Sequence, residues 1–251
     1  MRIARIMTAA GPRTVIARGA DWVEVADAFA ADPDATGPTH RQEGAHLLAP
    51  VEPRVVLGML HNTGPEERAL APQAFLKSAR TVIGPGGAIV VDARHGDHVG
   101  ECELALVVGR PCRRITAAEA PAHVLGWTIA NDVTIPAQGA LDATRTQAKN
   151  GDGFTPVGPW IETDLDALAA PLRAVVDGRA FVDSSTEHLA WNPFEALAHL
   201  SQYLTLGPGD LVLTGAPLTS FPLAPGATVT CEVGGIGALT NHVTSPEEAP
   251  A

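Results

Sequence analysis

Apolar positions along this chain fall mostly into short runs and alternations of strand length, broken by glycine, proline and polar clusters. Arg2–Met7 and Thr14–Ala17 are short β-like runs, Trp22–Ala30 predicts the start of a helix, and His40–Gly44 reads as a polar linker. Residues 1–50 therefore form a small N-terminal domain. The main unit, 51–245, opens with Arg54–Leu60, an apolar run of strand length, and Ala88–Val91, Glu101–Gly109 and Val124–Asp132 follow in kind. Thr116-Ala-Ala-Glu119 is a capping-box signature for a short helix. Leu172–Val176 and Arg179–Asp183 flank Asp177-Gly178, a turn pair, and predict a hairpin. The strongest helical spacing spans 193–204. Asn192 is placed to cap it, Pro193 to start it, and Phe194, Leu197, Ala198 and Leu200 share a face. Gly207–Asp210 then turns into a strand at Leu211–Thr214, and strands near 227–233 and 236–243 meet at Gly234-Gly235. Residues 246–251 form a flexible tail expected to fray. The pattern predicts a β-rich α+β fold.

Composition agrees with this and narrows the function. In 251 residues, 25 glycines and 21 prolines imply many turns, and 45% apolar residues suffice for a sizeable core. A net charge of -11 argues against a nucleic-acid partner, which needs a basic face; otherwise the acidity reads as solubility. The cysteines, Cys102, Cys112 and Cys231, form no CxxC pair, so no disulfide framework is expected. Arg2, Arg5 and Arg13 interrupt any signal-peptide core. Nowhere do about 18 apolar residues run together, so no membrane span is expected and a cytoplasmic location follows by default.

The candidate chemistry begins with Gly100-Glu101-Cys102-Glu103. In a strand, residues two apart face the same way, so Glu101 and Glu103 project side by side from a segment that otherwise reads as core. Two adjacent carboxylates repel, more so when buried. They sit at an exposed strand end, share a proton, or bind a cation, and alone the exposed pair is the simpler reading. Asp132 ends another apolar run and changes that weighing. Three carboxylates without His or Cys suit a hard ion, Mg²⁺, Mn²⁺ or Ca²⁺. Roughly three positions of an octahedron would remain, enough for a bidentate 2-oxo acid and a water.

Several segments, in order, resemble the fumarylacetoacetate hydrolase family over about residues 54–243. Phe75-Leu-Lys77 with Thr81–Gly86 is similar to its lysine-containing loop, and Glu101, Glu103 and Asn131-Asp132 to its metal ligands. Lys149–Asp152 with Phe154, Pro156, Gly158 and Pro159 resembles its active-site lysine segment, and Leu206–Pro217 its late loop and strand. Ala130–Pro136 and Lys149–Gly158 look most like the isomerase/decarboxylase branch of homoprotocatechuate breakdown. The resemblance implies a mixed β-sandwich roll with a small N-terminal domain, usually a homodimer, with one Mg²⁺ or Mn²⁺ per subunit.

There are departures. Family hydrolases carry an Asn-Tyr-x-x-His motif whose His, with a Glu on a lid helix, activates water. Here the stretch is Leu60-His61-Asn62-Thr63-Gly64; Gly64 takes the motif His position and His61 is displaced. Pro136 stands where many relatives have a substrate-anchoring Arg, and Ala216 replaces a Thr. A metal acting as Lewis acid stabilises the enolate common to tautomerisation, β-decarboxylation and C–C hydrolysis. Hydrolysis also needs an activated water, so isomerisation or decarboxylation of a small 2-oxo acid, or its enol, from aromatic catabolism is the expected function. A C–C hydrolase of acylpyruvate or fumarylacetoacetate type, and a metal-binding protein that has lost catalysis, are the alternatives. Lys149 is the candidate second cation at the site, and His61 with Glu66 or Glu67 a displaced acid/base pair. Lys77, Gln138 and Thr214 are candidate substrate contacts. The plain readings are a surface lysine for Lys149 and Lys77, a solvated loop for the His61 pair, a surface glutamine for Gln138 and a satisfied strand hydroxyl for Thr214.

Overall fold

The computed structural model describes residues 1–30 and 33–249. The chain opens with an antiparallel meander of β1 (Arg2–Thr8), β2 (Gly11–Arg18), β3 (Asp21–Glu24) and β4 (Thr39–Arg41). β5 (Leu47–Leu48), β6 (Val56–Leu60), β7 (Gln73–Lys77), β8 (Val82–Ile83) and β9 (Ala88–Val90) follow. β10 (His98–Val108), β11 (Val124–Asn131) and β12 (Thr155–Glu162) are the long central strands. β13 (Pro171–Val176), β14 (Arg179–Ser185), β15 (Leu211–Leu213), β16 (Ser220–Leu223), β17 (Thr228–Val233) and β18 (Gly237–Thr244) complete the strands. Helix is limited to α1 (Pro136–Leu141), α2 (Thr146–Lys149), α3 (Pro193–Ser201) and isolated 3-10 turns among the described residues.

Two mixed sheets result. The larger runs β4-β3-β2-β1-β12-β11-β10-β15-β6-β7, and the smaller β14-β13-β17-β18-β9. The pairs β15–β6, β12–β8 and β18–β9 are parallel, the others antiparallel. This is the β-rich mixed architecture that the sequence pattern and the family resemblance predict.

β10 organises the molecule because alternation splits its side chains between two environments. Cys102, Leu104, Leu106 and Val108 pack toward the smaller sheet, in one core with Leu172, Ala174, Val229 and Cys231. Ala105 and Val107 face the other way, into a second core with Ala130, Val157, Leu211 and Leu213. Glu101 and Glu103 continue that second row. The strand also changes partners along its length. His98–Glu101 pairs with β16, and Ala105–Val107 with β15, so the two glutamates stand where one neighbour gives way to the other.

Two local expectations are corrected. Trp22–Ala30 does not start a helix; Asp21–Glu24 is a strand, because Gly19-Ala20 closes a two-residue hairpin with Arg18 opposite Asp21. Gly19 has φ 59, which suits such a turn. Alternation then buries Trp22 against Ala4, Ile6 and Val15. Thr39–Arg41, overlapping the expected linker His40–Gly44, pairs with β3 instead. The first fifty residues extend the large sheet through Ile3 opposite Ile161.

The hairpin at Asp177-Gly178 forms with φ 49 and 77 at its two turn residues. The long helix forms with a full capping box between Asn192 and Glu195, but ends at Ser201 rather than 204. The Thr116–Glu119 box also forms, and leads into a single 3-10 turn, Ala120–His123. Of the expected tail, Glu248 N and Ala249 N donate to Ser245 O, closing a turn; residues 250–251 lie outside those described.

Candidate metal centre

Glu101, Glu103 and Asp132 come together so that one carboxylate oxygen from each lies within 4.8 Å of the others. Strand alternation supplies the first two. Antiparallel pairing supplies the third, since Cys102 lies opposite Asn131 and Asp132 N donates to Glu101 O at 2.9 Å. Glu103 and Asp132 are buried and Glu101 is half-buried, so the centre meets solvent from the Glu101 side.

Each carboxylate is oriented by a separate donor. Gly215 N donates to Glu103 Oε2 at 2.6 Å. Thr134 Oγ1 donates to Glu101 Oε2 at 3.1 Å. Asp132 is held on both oxygens, by Lys77 Nζ at Oδ1 and Lys149 Nζ at Oδ2, each at 2.5 Å. Lys149 also reaches Glu101 Oε2 at 3.0 Å, and its ammonium sits 4.5 Å from the Phe75 ring centroid. Lys77 Nζ adds the carbonyls of Phe154 at 2.8 Å and Val133 at 3.3 Å.

The electrostatics follow from this wiring. Burial works against the charge on Asp132, but Lys149 and Lys77 outweigh it and hold its carboxyl below the usual range. Burial likewise opposes the Lys149 ammonium, and Asp132 and Glu101 overcome it, so its pKa is raised. Glu103 has no such partner. Burial, then the charges on Asp132 and Glu101, push it well above the usual carboxylate range. Three carboxylates facing two ammonium groups leave one negative charge unbalanced when all are ionised. Three hard oxygen donors with a charge deficit fit a divalent cation.

The other expected site residues divide. Lys77 and Lys149 are both buried and both in the centre. His61, in the left-handed region at φ 54, directly follows β6 and makes no contact with the three carboxylates. Asn62, its neighbour, donates to Thr214 O at 2.6 Å, and the Asn62 backbone presses on Gly215, the donor to Glu103. The partner of His61 is Glu67, at 3.5 Å from Nδ1, and not Glu66. Glu66 folds back over Gly64, whose missing side chain leaves it room. Thr214 does not offer its hydroxyl to the site; fully buried, it donates to Leu104 O at 2.8 Å. Gln138 lies out on α1, where Nε2 donates to His95 O at 3.2 Å.

Sequence reasoning missed Gly215, Asn62 and Thr134. For Gly215 a signal existed in Thr-Gly-Ala-Pro, since glycine there permits φ 110 and close approach to Asn62. Asn62 and Thr134 carry no spacing that marks them.

A strand-rich, mixed-sheet fold with an acidic centre and two buried lysines defines a class of proteins with many known members. Residues 50–244 match the family described as fumarylacetoacetate (FAA) hydrolase C-terminal, and residues 1–50 match Rv2993c-like, N-terminal. The chain belongs to the fumarylacetoacetate hydrolase family. It is 41% identical over 175 residues to Protein Rv2993c of Mycobacterium tuberculosis, covering 68% of this chain and 66% of that protein. It is 33% identical over 186 residues to a 4-hydroxyphenylacetate degradation bifunctional isomerase/decarboxylase of Salmonella dublin, covering 71% of this chain and 41% of that enzyme. A solved structure of a 5-carboxymethyl-2-hydroxymuconate delta-isomerase from Mycobacterium smegmatis superposes with a TM-score of 0.92 at 36% identity, over 98% of this chain and 100% of that one. The latter two, an isomerase/decarboxylase and an isomerase by name, support the homoprotocatechuate-type branch, as the Ala130–Pro136 and Lys149–Gly158 segments suggested. No helix among the described residues is long and apolar enough to cross a membrane.

Proposed function

We propose that this chain is a divalent-metal-dependent enzyme that isomerises or decarboxylates a small 2-oxo acid, or its enol, of the kind produced in aromatic catabolism. One observation carries the reading: Glu101, Glu103 and Asp132 converge within 4.8 Å beside two buried lysines. These oxygens would hold Mg²⁺ or Mn²⁺, and Ca²⁺ suits the same donors. The bound ion would supply Lewis acidity toward a substrate ketone.

The protein's own groups then have distinct tasks. Lys77 fixes Asp132 and stays out of reach of substrate, having its three donors engaged. Lys149 keeps its charge and stands at the rim beside half-buried Glu101, where a substrate carboxylate would meet a cation. His61 is exposed enough to exchange protons with solvent, and Glu67 orients its ring. Isomerisation and decarboxylation need such a proton shuttle and nothing more from the side chains.

The His61–Glu67 contact also favours a second reading, hydrolysis of an acylpyruvate, in which the same pair takes a proton from water. Steady-state assays with Mn²⁺ on oxaloacetate, on 2-hydroxydienoates and on acylpyruvates separate the two. Glu101→Gln is run beside each. Turnover that survives this substitution undiminished overturns both readings.

A further inference from the structure

Within 61–70, the Glu67 carboxylate is held by Thr63, whose N and Oγ1 donate to Oε2 at 2.6 and 3.0 Å, but the turn that carries it has little else to hold it. Pro65–Ala69 is one 3-10 turn with no buried residue, and its internal bonds are Glu67 N to Gly64 O at 3.1 Å and Leu70 N to Glu67 O at 2.9 Å. Such a segment opens readily unless tied elsewhere. Arg68 provides the tie. Its Nη1 donates to Ala190 O at 2.9 Å and to Glu195 Oε2 at 2.8 Å, and its Nη2 to Glu195 Oε1 at 2.8 Å. The guanidinium lies 3.7 Å from the Trp191 ring centroid. Among the described residues, no other residue of Pro65–Leu70 hydrogen-bonds outside 61–70.

The other flank of the pair is tied to the same place. Asn62 Nδ2 donates to Trp191 O at 2.8 Å, and Trp191 N donates to Asn62 Oδ1 at 2.7 Å. His61 is thus registered on Trp191 through Asn62, and Glu67 on Trp191 and Glu195 through Arg68. The frame itself is rigid, because Glu195 also closes the capping box of α3.

We propose that Arg68 is a positioning residue that sets Glu67 against His61 by latching the Pro65–Ala69 turn to the Ala190–Glu195 frame. This rests on the proton-shuttle reading of His61. Arg68 makes no contact with the carboxylate centre. It acts through the turn, and bidentate planar geometry suits Arg where Lys offers a point charge.

The test combines amide hydrogen exchange with kinetics on the Mn²⁺-loaded protein, for Arg68→Met and Arg68→Lys. Exchange across residues 61–70 is expected to quicken about tenfold in R68M, the scale set by losing an exposed bidentate ion pair and a cation–π contact. kcat is expected to fall about 10- to 100-fold with KM within about threefold, because a misplaced shuttle slows the step and leaves binding alone. R68K is expected to recover part of kcat. Unchanged exchange in R68M overturns the latch, and faster exchange with undiminished kcat overturns the positioning role. If wild-type protein turns over no 2-oxo acid, the functional reading fails separately. Protection of 61–70 then decides the latch, and the positioning role falls with the activity.

Discussion

Lys77 Nζ lies 2.5 Å from Asp132 Oδ1, and neither side chain meets solvent. This pair joins the end of β7 to the residue that follows β11, and it orients the one carboxylate that both lysines share. Lys77→Met leaves a buried carboxylate with only Lys149 for company. A loss of about 3–5 kcal/mol is expected in the metal-free protein, as for other broken buried pairs, read from urea unfolding. Saturating Mg²⁺ is expected to restore part of it.

A cation that binds only the folded state must stabilise it. At a hundredfold excess over its Kd, Mg²⁺ or Mn²⁺ is expected to raise Tm by about 5–10 °C for a chain of this size. Asp132→Asn is expected to abolish that increment. Differential scanning calorimetry with and without metal checks both, and a wild-type Tm indifferent to either ion contradicts the site.

The raised pKa of Glu103 sets a pH dependence whose sign is fixed. Its proton is bound more tightly in the folded than in the unfolded chain, owing first to burial and then to Asp132 and Glu101. The stability this gives is complete below the ordinary carboxylate range and is lost as pH rises through the raised value. Metal-free wild-type protein should therefore lose stability relative to Glu103→Gln as pH climbs across that window. Metal binding must expel the same proton, so affinity for Mn²⁺ should rise with pH there. Titration calorimetry in two buffers of different ionisation heat reads the proton release directly.

Gly215→Ala probes the clamp on Glu103. A Cβ at this position runs into the Asn62 carbonyl, and φ 110 is strained for any L side chain. About 1–3 kcal/mol of stability should be lost. Because the N–H moves with the backbone, metal affinity should drop as well. A variant of equal stability loss elsewhere, such as Asn192→Ala at the helix cap, should leave affinity unchanged. Mn²⁺ binding followed by electron paramagnetic resonance distinguishes them.

How much of this was legible in the sequence depended on how local the cause was. The carboxylate triad could be read because it needs only strand period and strand ends, and β10 and β11 are long apolar runs. The Asp177-Gly178 hairpin and the α3 cap were legible for the same reason. β3 and β4 were not. Trp22–Ala30 has apolar spacing compatible with a helix, and the decisive Gly19-Ala20 turn lacks the Asn or Asp that usually advertises it. Glu66 and Glu67 cannot be told apart by spacing; which one meets His61 depends on the hand of a short turn over Gly64. The contacts of Thr214 Oγ1 and Gln138 Nε2 could not be foreseen because they go to carbonyls of residues far away in the chain, Leu104 and His95. Arg68 was invisible as a site residue, since its partners lie 122 and 127 positions further on.

The change of neighbour along β10, from β16 to β15, limits how this chain can tolerate insertions. Adding or deleting one residue between His98 and Glu103 would present Gly100, Cys102 and Leu104 where oxygens now stand, and would swing the glutamates against the smaller sheet. Length changes at the exposed turns 9–10 or 224–226 carry no such consequence. Viable length variants of this protein should therefore cluster outside 98–108, and a library screened for folding alone would reveal that forbidden stretch without any knowledge of substrate.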